Sequence, residues 1–112
     1  MTAYYHLESG VALSEVINDA DATAGRELGV PLKGNVRAFL WKAAYANAPS
    51  AVSFKFQGTI DFLTWFDLDS STATAGETKT VIDKVVRGVR GYVNTITPHA
   101  SGSDVTFTVL VD

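Results

Sequence analysis

The sequence contains no cysteine, so neither disulfides nor thiolate metal sites contribute to it, and packing has to hold the chain together. Histidine is almost as scarce. His6 lies near the start and His99 directly after Pro98, and neither stands in a motif that sets a nucleophilic Ser or Thr beside a base. Positive charge is thin: nine Lys and Arg against twelve Asp and Glu leave a formal net charge of −3. That balance argues against nucleic acid as a partner, because affinity for a phosphate backbone comes from clustered cations. No apolar run approaches membrane-span length, and residues 1–10 lack the basic flank and apolar stretch of a secretion signal. A soluble chain made in a cytoplasm, with no membrane partner, is expected.

Phosphate-gripping patterns are missing too. Gly88 and Gly91 flank Arg90 without the Gly-x-Gly-x-x-Gly or Walker spacing, so tight turns are the expected role of these glycines. Asp61, Asp67 and Asp69 fall in one region but lack the alternating register of a calcium loop, and turn-forming aspartates without a bound metal are expected. No acidic pair has a setting that would separate an acid from a base role, as a glycosidase requires. The chain is therefore expected not to be an enzyme and to need no cofactor.

What the sequence does have is alternation. The length of 112 residues suits one domain with one core. Val52, Phe54 and Phe56 alternate with Ser53, Lys55 and Gln57, the signature of a half-buried strand. Val105, Phe107, Val109 and Val111 repeat the pattern at the C-terminus in a run rich in β-branched residues. A strand over 92–97 ends at Pro98, and the Gly/Ser turn of 100–104 suits an antiparallel pairing of the last two strands. Residues 36–45 read as a strand between turns, although Ala43, Ala44 and Ala46 also allow a helix. Shorter strands are expected over 11–17, 27–32, 65–68 and 78–86; Val81, Ile82, Val85 and Val86 in the last fit helical spacing equally well. The total of about eight short strands points to an all-β fold, an antiparallel β-sandwich that is jelly-roll-like or Ig-like. Residues 11–112 would form it, with 1–10 as an N-terminal arm or edge strand.

The stretch from Phe56 to Leu68 is the most informative. It reads as strand, turn, strand, with Asp61 placed to accept backbone hydrogen bonds in the turn and Trp65 returning to the core. It resembles a pattern of small phage virion proteins with β-sandwich folds, in which Gln-Gly-Ser/Thr-x-Asp-Gly ends a strand and Trp and Asp-Leu follow. Here the matching residues are Gln57, Gly58, Thr59, Asp61, Trp65, Asp67 and Leu68. Upstream, residues 20–25 followed by Leu28, Val30, Leu32, Lys33 and Gly34 resemble the family's acidic turn, strand and Gly corner; downstream, Arg90, Gly91, Tyr92, Val93 and Asn94 resemble its Arg-Tyr-Val-Arg strand.

The resemblance implies a non-enzymatic virion component: a capsid decoration or cement protein, a head fibre, or a tail module. The chain departs from the pattern where Phe62 replaces the turn glycine and Leu63 follows. Two apolar side chains then occupy a hairpin tip, and they either fold back on the domain or insert into a neighbouring subunit. Tyr4, Tyr5 and Leu7 could likewise form an edge strand or an arm that joins another subunit's sheet. The expectation is a virion-located decoration protein that self-associates, as a trimer, and binds the major capsid protein through Tyr4, Tyr5, Phe62 and Leu63, with Arg87 and Arg90 as rim contacts. Lys84 joins those arginines in the one basic cluster. The alternative is a tail or fibre module that binds host-surface carbohydrate, which would need Trp41 or Trp65 exposed; their apolar surroundings favour burial of both.

Overall fold

A computed structural model describes residues 5–6, 12–17, 28–29, 37–97 and 105–111, all within an all-β architecture; among the described residues there is no helix. The strands are β1 (Tyr5–His6), β2 (Ala12–Ile17), β3 (Leu28–Gly29), β4 (Arg37–Tyr45), β5 (Ala51–Thr59), β6 (Trp65–Ser71), β7 (Glu77–Lys84), β8 (Gly88–Thr97) and β9 (Val105–Val111). Six of them, β4 to β9, are long and carry the core as two antiparallel three-stranded sheets, β8-β5-β6 and β9-β4-β7. These are fewer and longer than the short strands expected from the sequence. β2 extends one sheet beyond β9, and the two-residue pieces β3 and β1 extend the other beyond β8, β1 running parallel to β3.

The alternation of apolar residues explains why these segments pair as they do. Phe39, Trp41 and Ala43 of β4 and Val105, Phe107, Val109 and Val111 of β9 point inward from one sheet. Val52, Phe54 and Phe56 of β5 and Val89, Val93 and Ile96 of β8 point inward from the other. Across the gap the Trp41 indole stacks on Phe54 and Phe56, with centroids 5.5 and 5.9 Å apart, and Phe107 lies against the same two rings. Offset aromatic contacts of this kind add about 0.5–1.5 kcal/mol each to the area they bury. The sheets therefore face each other in a sandwich-like arrangement.

Three sequence expectations are corrected, the first being the turn role of Gly88 and Gly91, which instead lie within β8 opposite Thr59 and Phe56. The last two strands are not partners: β8 pairs with β5 and β3, whereas β9 pairs with β4 and β2 in the opposite sheet. Each has one strictly apolar face, and placing the strands in opposing sheets buries both faces, the Phe107 ring filling the space left by the missing side chain of Gly91. Nor does Trp65 return to the core. It pairs with Thr59 on the same parity as Gln57 and Asp67, which puts its half-buried ring on the outer surface of the sheet. The helical alternatives at 36–45 and at Val81, Ile82, Val85 and Val86 are not taken: β4 spans Arg37–Tyr45, and β7 carries Val81 and Ile82 and ends at Lys84.

β-Bulges adjust where side chains point. Asp67 pairs with Gln57 but Asp69 pairs with Phe56, so the extra residue Leu68 turns Asp69 from the outer to the inner face. There Asp69 Oδ2 accepts a 3.0 Å hydrogen bond from the buried Trp41 Nε1.

Candidate functional site

Two features of the β5–β6 hairpin and its neighbours combine on one end and one face of the molecule. The first is the tip, residues 60–64. Thr59 is fully buried beneath it, its Oγ1 donating to Thr64 O (2.7 Å) and accepting from the N–H of Phe62 (2.9 Å) and of Asp61 (3.3 Å). Asp61 Oδ1 accepts from the N–H of Leu63 and of Thr64, each at 2.9 Å. These backbone donors, Thr64 foremost, hold the Asp61 carboxyl below the usual carboxylate range. The expectation that Asp61 organises the turn is met. The result is a stiff loop that presents apolar side chains to solvent: Leu63 is 85% exposed and Ile60 60%, with Phe66 at its base also exposed. The Arg87 N–H donates to Thr59 O (2.8 Å), which brings the exposed Val85 and Arg87 alongside.

Phe62 has φ of 59°, in the left-handed region that a non-glycine residue occupies at a cost of roughly 1–2 kcal/mol. This is the position where the resembled pattern has glycine, the residue that adopts such a backbone most readily. The ring is half-buried and meets the Trp65 ring edge-on at 6.1 Å.

The second feature starts at that contact. On the outer face of β6-β5-β8 the Arg90 guanidinium lies 4.4 Å from the Trp65 ring centroid and 5.0 Å from that of Tyr92. Arg90 Nε donates to Gln57 Oε1 (2.9 Å), Gln57 Nε2 donates to Asp67 Oδ1 (2.9 Å), and Lys55 Nζ donates to Asp67 Oδ2 (2.9 Å). The Gln57 amide and then Lys55 draw the Asp67 carboxyl below its ordinary range. Six side chains from three strands thus form one connected aromatic and polar strip.

The expected contact residues separate. Phe62 and Arg90 come together on Trp65, while Leu63 points into solvent and Arg87 is exposed beside the tip. Tyr5 opens β1, paired with Leu28, and its side chain is outside what is described; Tyr4 and His99 lie outside the described residues, as does the side chain of His6. The three aspartates do three different things: Asp61 caps the tip, Asp67 joins the strip and Asp69 anchors Trp41. Among the described residues no group of three or more His, Asp or Glu converges on a point that could hold a metal ion. Sequence reading missed Gln57, Tyr92 and Asp67 as neighbours of Trp65. Shared parity places Trp65 with Asp67 and Lys55 with Gln57, but the register that joins these pairs and brings in Arg90 and Tyr92 is not written in the sequence.

No family model matches the chain, and no curated protein matches it. Solved structures do. The SPBc2 prophage-derived protein YomS superposes with a TM-score of 0.51 at 12% identity, covering 91% of this chain and 96% of that one. The PBSX exported protein XepA gives a TM-score of 0.54 at 13% identity over 91% of this chain, which spans only 38% of XepA. A family 29 carbohydrate-binding module, CBM29-2, gives 0.51 at 10% identity over 87% of this chain and 69% of that one. Likeness at such identities shows a shared fold, which hosts prophage-derived proteins and sugar-binding modules alike.

Proposed function

We propose that this protein is a non-enzymatic structural component of a phage particle that decorates the assembled shell, binding the major capsid protein as an oligomer and stabilising the shell by mass action. The observation that carries this reading is the tip. Exposed Leu63 and Ile60 stand on a loop fixed by four backbone and side-chain hydrogen bonds to Thr59 Oγ1 and Asp61 Oδ1 at 2.7–2.9 Å. An apolar knob held in one conformation before contact loses little entropy on docking, which is what an interface anchor needs. The fold shared with the prophage-derived YomS and XepA supports the phage setting. The strand orders β2-β9-β4-β7 and β3-β8-β5-β6, with the chain changing sheet at every step except β5 to β6, support the jelly-roll-like form of the expected sandwich over the Ig-like one.

Cosedimentation with shells that lack the protein tests the proposal. Saturable binding at a fixed ratio to the shell protein, lost when Ile60→Ser and Leu63→Ser are combined, is the expected result. Failure to bind shells under conditions where the protein is folded would overturn it.

A further inference from the structure

The strip on the outer face of β6-β5-β8 plays no part in the tip contact, and it has the make-up of a ligand site. Two aromatic rings, Trp65 and Tyr92, flank a guanidinium that lies on both of them. A chain of hydrogen bonds, Arg90 to Gln57 to Asp67 to Lys55, fixes the polar groups between them. The chain is anchored on Gln57, which is buried and has both ends of its amide engaged, so the Arg90 and Asp67 side chains above it are held in fixed positions. At its edge, strain is retained as well, since Phe62 keeps a left-handed backbone while its ring supports that of Trp65.

We propose that this strip is a second binding site, one that takes the sugar rings of a neutral glycan. The chemistry of each part fits. Trp65 and Tyr92 are both half-buried, so part of each ring stays open beside the Arg90 guanidinium, and the apolar C–H face of a pyranose packs against that part. Ring hydroxyls, which both donate and accept, meet fixed groups of both kinds: the Arg90 guanidinium as donor and the Asp67 carboxylate, its side chain 45% exposed, as acceptor, with buried Gln57 holding both in place. The charge pattern selects among ligands. Lys55 is paired with Asp67 at 2.9 Å, so the strip mixes signs and offers no continuous cationic track for nucleic acid or another polyanion. Three adjacent strands span about 10 Å, the reach of a short oligosaccharide rather than of a single sugar.

The site is distinct from the shell contact, and its test keeps the two apart. Soluble β-linked hexasaccharides of glucose, mannose and N-acetylglucosamine are titrated against the full chain while tryptophan emission is followed. Trp41 is fully buried, so a response reports Trp65. At least one hexasaccharide gives a saturable change with a Kd of roughly 10 µM to 1 mM, and Tyr92→Ala weakens it about tenfold or more. Gln57→Ala does the same, and the Ile60→Ser, Leu63→Ser variant binds as the parent does. Thermal melts confirm that each variant is folded; if Gln57→Ala is not, Tyr92→Ala decides. No saturable response to any of the three sugars overturns the proposal, and so does a response that Tyr92→Ala leaves unchanged.

Discussion

The Trp41 indole on β4 donates its N–H to Asp69 on β6 at 3.0 Å, joining the two sheets. Trp41 is fully buried, so removing the carboxylate takes away the partner of a buried N–H. Asp69→Ala leaves a buried donor unpaired and is expected to cost about 1–3 kcal/mol in urea denaturation. Asp69→Asn keeps an acceptor oxygen at the same place and loses less. Equal stability of Asp69→Ala and the parent would mean that the bond contributes nothing.

Gly91 is required by what faces it. A Cβ there would lie 2.6 Å from Phe107 Cγ and 2.9 Å from Phe54 Cζ, both in rings buried in the core. Gly91→Ala forces those rings off their positions and is expected to destabilise by about 1–3 kcal/mol, as overpacked cores do. At Gly58 the nearest contacts are side-chain ends, Cγ1 of buried Val86 at 2.8 Å and Cδ1 of half-buried Leu68 at 3.0 Å, which shift more readily than packed rings. Thermal melts should rank Gly58→Ala as the milder change.

These two cases show how far the sequence could be read. Period-two alternation identifies β5 and β9 and the inward residues of both, because a half-buried strand has no other way to hide alternate side chains. Pairing is harder to read, since alternation does not say which sheet a strand joins; β8 and β9 have equally good apolar faces and lie in different sheets. Bulges hide further information. One extra residue at Leu68 reverses the parity that the sequence suggests for Asp69, so its bond to Trp41 could not be foreseen. At the site, the capping role of Asp61 was legible from turn chemistry. The Trp65, Arg90, Gln57 and Asp67 strip was not, because it depends on the register of three strands far apart in sequence.

The tip should loosen in acid. Amides of Thr64 and Leu63 lower the Asp61 carboxyl relative to the unfolded chain, so its contribution is present above the unfolded carboxylate range and is lost as pH falls through the folded value. Amide resonances of Leu63 and Thr64 should move together below the ordinary carboxylate range, while those of β9 stay fixed. Asp61→Asn should abolish this titration. If the two amides do not titrate in the parent, the cap is not formed in solution.

Tyr45 gives a prediction of the opposite sign. Its hydroxyl is buried without a hydrogen-bond partner among the described residues, and burial, with the nearby Glu77 charge, pushes its pKa up to about 12. The contribution is complete below the unfolded tyrosine pKa and lost as pH rises towards the folded value, so alkaline titration should unfold the parent more readily than Tyr45→Phe. Near neutral pH that substitution should leave stability unchanged or raise it by up to about 1 kcal/mol, since it removes an unpaired polar group. A loss of stability in urea would show that the hydroxyl has a partner.

The central claim is that the tip touches the shell. Placing a photo-crosslinking p-benzoylphenylalanine at position 63, and at position 42 as a control on the exposed side of the opposite sheet, tests it directly when the labelled protein is irradiated on purified shells. The expected result is a covalent adduct with the major shell protein from position 63 and none from position 42. Adducts from position 42 alone, or from neither position on shells that carry the protein, would contradict it.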